Sequence, residues 1–267
     1  MLRRWCIPLT TLALVVGSML AAGSAEAGTT AQRPSSSHAV TPGGMMVRPA
    51  AGPSARGVRH QVESTNWSGY AVTGASGAFH SISASWVEPT GICTTRGRAQ
   101  YSSFWVGLDG FNSNSVEQTG TDVDCSHRRP VYYGWFEMFP AAPVNYPNTV
   151  RPGDHFSASV TFSGSSTYTL VLTDSTQGWT HTTTKSQTGL ARSSAEVITE
   201  APSSAGGVLP LADFGTVNYS ASAANGTSMG TQSPTKIIMV DSKGLPKDST
   251  SAIALNGAFS NTWIRSN

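Results

Sequence analysis

The chain has 267 residues, of which only 12% are charged, with 17 Lys+Arg against 15 Asp+Glu. Basic residues do not cluster in the part expected to fold, so the electrostatic footprint of a nucleic-acid binder is missing. No phosphate-cradling glycine loop precedes a helix, no GxSxG elbow occurs and no Cys/His pair accompanies a nucleophile, which argues against nucleotide-dependent, serine-hydrolase and cysteine-hydrolase chemistry.

Residues 1–27 begin with Arg3 and Arg4, continue through an apolar run from Ile7 to Ala22 and end on Ala25-Glu26-Ala27. That is the pattern of a secretory signal peptide; its apolar core is too short to span a bilayer. A secreted, extracellular protein that leaves the membrane once the signal is cleaved is therefore expected. Residues 28–62 are rich in Pro, Gly, Ser and Ala and carry Arg33, Arg48, Arg56 and Arg59 without a single acid. Such a segment cannot bury enough apolar surface to fold alone and reads as a basic, disordered pro-segment or linker. Six of the 17 Lys+Arg precede residue 63, but of the 15 Asp+Glu only Glu26 does. The remainder, 63–267, is thus net acidic, and a basic arm tied to it can lie over an acidic cleft. A plain solvated tail is the alternative.

The remainder is long enough for one sizeable core. Cys6 leaves with the signal peptide, so Cys93 and Cys125 can pair in an oxidising compartment, closing a loop that stabilises by ~3–4 kcal/mol. Neither cysteine has a neighbour at metal-ligand spacing, and the six His form no HExxH-type pair, so no metal or cofactor is expected.

Taken in order, the chain reads as short strands. Asn66-Trp67-Ser68-Gly69-Tyr70 opens the domain. His80, Ile82, Ala84 and Trp86 then alternate with serines, a strand with one apolar and one small polar face. Tyr101 to Asp109 is another, with Trp105, Gly107 and Asp109 on one side. Val116 to Gly120 follows an Asn/Ser turn, and Tyr133, Trp135, Glu137 and Phe139 line a strand that stops at Pro140. In the second half Phe156, Ala158, Val160 and Phe162 alternate with polar residues. Tyr168 to Leu172, a strand with Trp179, His181 and Thr183, and Ser193 to Glu200 come next. Gly207 to Phe214, Lys236 to Val240 and Ser251 to Phe259 are the last expected strands. No stripe of period 3.6 and no repeat occurs. Short strands with turns every 8–12 residues predict an all-β fold, an antiparallel β-sandwich or barrel.

The strand ending at Glu200 is unusual in a chain so poor in charge. Side chains alternate between faces, so Glu196, Ile198 and Glu200 share one. Other strands also set a polar group among aromatics: Gln118 beside Val116 and Gly120, Glu137 between Trp135 and Phe139, Asp109 after Trp105. In one sheet these faces would build an aromatic-walled groove with a few polar groups, the usual form of a ligand site. The alternative is that the aromatics are sandwich core and the acids rim residues.

Five strings shift that balance. Asn66 to Tyr70, Phe104-Trp105-Val106-Gly107-Leu108-Asp109-Gly110, Gln118-Thr119-Gly120, Trp135-Phe136-Glu137-Met138-Phe139-Pro140 and Ala195-Glu196-Val197-Ile198-Thr199-Glu200 occur in this order. No string is specific alone. Together, from about Asn66 to the C-terminus, they resemble the glutamic peptidases, or eqolisins, of the scytalidoglutamic peptidase type. The resemblance implies an antiparallel sandwich of two curved sheets, a concanavalin-like jelly roll, and polypeptide substrates. It implies a catalytic dyad at Gln118 and Glu200, with Glu196 in the position of a non-catalytic acid, and a substrate groove at Trp67, Trp105, Asp109, Trp135, Glu137 and Phe139. The sequence departs from fungal members where Phe139 replaces a tyrosine, Val197 an aromatic, and Ala201-Pro202 acidic residues, and in allowing one disulfide; subsite preference and acid optimum are what these changes touch.

On that resemblance Glu200 would take a proton from water and return it to the leaving amine, while the Gln118 amide orients the water and holds the oxyanion. An ordinary Glu titrates near pH ~4.3, so an acidic optimum is expected. A zymogen acting as a monomer is the expected form. The competing expectations are a β-sandwich glycanase using Glu137 and Glu200 as its carboxyl pair, and a non-catalytic carbohydrate- or peptide-binding module.

Overall fold

The protein is seen in a computed structural model that describes residues 60–94 and 98–267. The expected signal peptide, 1–27, and nearly all of the expected pro-segment, 28–62, lie outside the described residues.

In chain order the strands are β1 (Gln61–Ser64), β2 (Trp67–Thr73), β3 (Ser81–Val87), β4 (Gln100–Leu108), β5 (Val116–Ser126), β6 (Arg129–Phe139), β7 (Val144–Asn145), β8 (His155–Phe162), β9 (Thr167–Asp174), β10 (Trp179–Ser186), β11 (Ser194–Glu200), β12 (Ser203–Ser204), β13 (Gly207–Val208), β14 (Thr216–Ala224), β15 (Thr227–Ser228), β16 (Thr235–Met239), β17 (Asp248–Thr250) and β18 (Phe259–Trp263). One 3-10 turn, Met229–Thr231, is the only helical element among the described residues. The first sheet runs β1-β16-β2-β11-β4-β5-β6-β7 and the second β10-β9-β8-β3-β14-β18-β17, with β15 on β14. All pairs in the two sheets are antiparallel except β1 with β16.

The alternation read from the sequence explains why these sheets stack. Ile82, Ala84 and Trp86 of β3, Phe156 and Val160 of β8, and Leu170 and Leu172 of β9 turn one face inward; Phe104, Val106 and Leu108 of β4 and Val197 of β11 meet them from the other sheet. Each such side chain contributes ~1.5–3 kcal/mol when fully buried. Polar bonds cross the same interface. Asn261 Nδ2 donates to Thr199 Oγ1 at 2.8 Å, Tyr219 Oη donates to the Ile198 carbonyl at 2.8 Å, and the Ser68 hydroxyl donates to Asp248. Cys93 and Cys125 are disulfide-bonded, tying the segment after β3 to β5.

Some expected elements fall elsewhere. β1 starts at Gln61, two residues before the expected domain start, because Val62 packs on the first sheet and pairs with Ile237. The expected strand Gly207 to Phe214 is strand only at Gly207–Val208: Pro210 has no N–H for a ladder, and Leu211, Ala212 and Phe214 instead plug the core, Phe214 edge-on to Phe104 at 5.4 Å. Of the expected strand Ser251 to Phe259, residues 251–258 are an irregular connection between β17 and β18, and only Phe259 is strand. β14, in the middle of the second sheet, was not expected from the pattern at all.

The first sheet's other face is opened by glycines. A Cβ on Gly120 would lie 2.1 Å from the Phe104 carbonyl oxygen and 2.6 Å from Trp105 Cβ. Backbone cannot rotate away, so Gly120→Ala is expected to cost about 3 kcal/mol, read as a lower urea midpoint at unchanged slope.

Candidate active site

Register across β2, β11, β4, β5 and β6 sorts the outward face of the first sheet into three rows. Trp67, Glu200, Ser103, Asp122 and Tyr133 form one. Gly69, Ile198, Trp105, Gly120 and Trp135 form the next. Ala71, Glu196, Gly107, Gln118 and Glu137 form the third. Cross-strand partners point to one face, so the expected dyad and the expected aromatic walls share a surface. A second apolar cluster lies there: Trp67, Trp105 and Trp135 with Val116, Ile198 and Ile237, flanked by Phe111 and Phe139.

Glu200 and Gln118 start two rows apart, ~13 Å along the strands. Two tryptophan rings lean along that offset. The Trp67 ring reaches Gly110, where a Cβ would come within 2.8 Å of Cη2, and the Trp105 ring leans over Gly107. The two rings meet edge-on at 4.9 Å. Glu200 is held from both sides: Trp105 Nε1 donates to its Oε2 at 2.9 Å and Asn66 Nδ2 to its Oε1 at 3.2 Å. In the far row Gln118 Nε2 donates to Glu137 Oε2 at 2.6 Å. Burial, reinforced by the Glu200 charge, pushes the Glu137 carboxyl up to about 9, against the lowering pull of the Gln118 bond. Glu137 thus couples to both members of the expected dyad.

Asp122 sits beside Ser103 in the Glu200 row. It accepts from Trp135 Nε1 at 2.5 Å and from Tyr133 Oη at 2.9 Å, and the same hydroxyl lies 2.8 Å from Asp124 Oδ2. Burial raises both carboxyls, and for Asp124 the Asp122 charge adds to it. Sequence reasoning passed over Asp122, Tyr133 and Asn66 as site residues. The signal was available for Asp122, which continues the two-residue step from Gln118 and Gly120.

Glu196 shares the Gln118 row but is wholly buried, and desolvation raises its carboxyl well above the ordinary value, with the charges of Asp109 and Glu117 acting the same way. Asp109 lies just beyond β4 and is wholly buried. It leaves β4 at φ 69°, and its two carboxylate oxygens accept the Arg192 N–H at 2.7 Å and the Ser193 N–H at 2.9 Å. It clamps the chain entering β11. Phe139 ends β6 half-buried at the cis Phe139–Pro140 peptide. Among the described residues no group of three or more His, Cys, Asp or Glu is disposed to hold a metal ion, and no helix is long and apolar enough to cross a membrane.

A family model described as the Peptidase A4 family matches residues 65–259. Aspergillopepsin-2 of Aspergillus niger is 24% identical over 211 residues, covering 70% of this chain and 74% of that protein. Scytalido-glutamic peptidase with a transition state analog inhibitor superposes with TM-score 0.64 at 22% identity, over 75% of this chain and 98% of that one. Aspergilloglutamic peptidase from Aspergillus niger does so with TM-score 0.55 at 22% identity, over 62% and 99%. At these identities the superpositions speak to the fold, an eqolisin-type β-sandwich, while the family match spans most of the described domain. The chain belongs to the peptidase A4 family, the glutamic peptidases, and is a peptide-bond hydrolase rather than a glycanase or a binding module.

Proposed function

We propose that this protein is an exported acid endopeptidase in which Glu200 activates a water and Gln118 orients it. Glu200 takes a proton as the water oxygen attacks the scissile carbonyl carbon. The Gln118 N–H donates to the oxyanion that forms. The C–N bond breaks as Glu200 hands its proton to the amine nitrogen. Trp67, Trp105, Trp135 and Phe139 wall the groove that holds an extended peptide. The observation that carries this reading is that Glu200 and Gln118 face the same way from one sheet and share one neighbour, Glu137, which accepts the Gln118 amide N–H and feels the Glu200 charge. Export and removal of the basic segment that precedes β1 complete the proposal on the strength of the sequence pattern in residues 1–59.

Gln118→Ala removes the oxyanion donor without touching a backbone bond. Its kcat on casein or a peptide at pH 3–5 is expected to fall about 100- to 1000-fold. Hydrolysis at the wild-type rate by a folded Gln118→Ala protein, or release of sugar from β-glucan in place of peptides from casein, overturns the proposal.

A further inference from the structure

Gln118 poses a problem that its own structure does not solve. The terminal torsion of a glutamine is broad and nearly two-fold, and its oxygen and nitrogen ends have almost the same shape. One end accepts and the other donates, so a swapped amide would offer N–H where the water needs an acceptor. Something must break that symmetry before substrate arrives.

We propose that Glu137 is a positioning residue, gripping the Gln118 amide nitrogen so that the amide oxygen faces the water on Glu200; this rests on the reading of Gln118 and Glu200 as the dyad. Glu137 and Gln118 are direct cross-strand partners on β6 and β5. Their 2.6 Å bond runs from Nε2 to Oε2, both residues being fully buried. Gln118 Oε1 and Glu137 Oε1 have no hydrogen-bond partner among the described residues. The nitrogen end is therefore fixed through one of its two N–H groups, leaving the oxygen and the second N–H available. A carboxyl suits the task in a second respect. Held neutral by burial beside Glu200, it accepts the N–H through one oxygen without setting a second negative charge against the base. The groups facing it are Gln118, Glu200 and Asp122.

The test is a kcat-against-KM comparison at pH 4 of wild type, Glu137→Leu, Glu137→Asp, Glu137→Gln and Glu200→Gln, each checked for native circular dichroism. Glu137→Leu removes the acceptor and Glu137→Asp withdraws it by a methylene. Either is expected to lower kcat about 100-fold, the scale of a misplaced catalytic group, with KM nearly unchanged. Glu137→Gln keeps a carbonyl acceptor and is expected to recover most of the loss. If the Leu or Asp variant folds and keeps wild-type kcat, or raises only KM, the positioning role is wrong and Glu137 is a structural or substrate-contacting residue. Failure of Glu137→Gln to recover activity likewise overturns it. Retained activity in Glu200→Gln marks the separate failure of the dyad reading.

Discussion

Glu200→Gln is expected to lower kcat/KM for peptide hydrolysis at pH 4 by at least about 1000-fold, the upper range for loss of a general base that also serves as general acid. The amide can neither take the proton from water nor return it to the amine. Its shape is nearly that of the carboxylate, so the strand should survive. Both Glu200 oxygens accept bonds, from Asn66 Nδ2 and from Trp105 Nε1. The new NH₂ must face one of those donors, which costs ~1–3 kcal/mol of stability. A modest drop in melting temperature accompanied by near-total loss of turnover is the expected pair of results. Glu196→Gln is the control that gives this weight. Glu196 lies in the same row as Gln118, closer by register than Glu200. If the base were chosen by backbone proximity, Glu196→Gln would be the dead variant and Glu200→Gln the active one. Steady-state kinetics on the two proteins decides between them.

The second large effect is on stability, and its sign is opposite to the usual one for an acid-rich domain. Glu117 points into the main core from the strand partners Leu108 and Met138, and both its carboxyl oxygens lack a hydrogen-bond partner among the described residues. Burial pushes it up to about 9, with the Asp109 charge adding to the rise and Arg192 opposing it. Burial likewise pushes Asp248 up to about 7 against the Ser68 bond, and raises Glu88 and Glu196. A carboxyl that holds its proton more tightly in the fold than in the unfolded chain contributes full stability below pH ~4. It loses that contribution as pH climbs toward its raised value, at ~1.4 kcal/mol per pH interval of one. Glu117 and Asp248 alone would remove ~5 kcal/mol between pH 5 and 7, a large part of the ~5–15 kcal/mol that holds a domain together. The melting temperature is expected to be highest near pH 3–4 and at least ~10 °C lower by pH 7.5. Glu117→Gln should flatten that slope. A melting temperature that stays level or rises toward neutrality would mean that these carboxyls ionise in place.

How much of this could be read beforehand depended on whether alternation was intact. Ile82-Ala84-Trp86, Phe156-Ala158-Val160 and Tyr168-Leu170-Leu172 keep a strict period of two, and all three became core strands of the second sheet. β14 begins the same way, with Val217 and Tyr219 inward. A bulge with Ala221 at φ 52° then shifts the register, so that Ser222 and Ala224 occupy the buried side. The shift and the small residues together erase the pattern. Ser251 to Phe259 failed for the opposite reason. Its apolar residues serve a connecting loop, and the strand proper begins only at Phe259. At the site, the shared face of Glu200, Trp105, Gln118 and Glu137 follows from two-residue arithmetic plus the family strings. The row offset and the Gln118–Glu137 bond do not, because they depend on the register in which the strands pair. Asp109 shows the same limit. The period of two places it on the Trp105 side of a strand but does not reveal the left-handed turn or the bonds from the amides of Arg192 and Ser193.

That clamp has a bearing on how a saturation mutagenesis map of this enzyme should be interpreted. Arg192 and Ser193 lead directly into the strand that ends at Glu200, so a lesion at Asp109 slackens the anchor of the strand that carries the proposed base. Such variants are expected to lose activity as variants of the proposed dyad do, through the loss of two backbone hydrogen bonds. Sensitivity at Asp109 therefore measures how firmly that strand is moored.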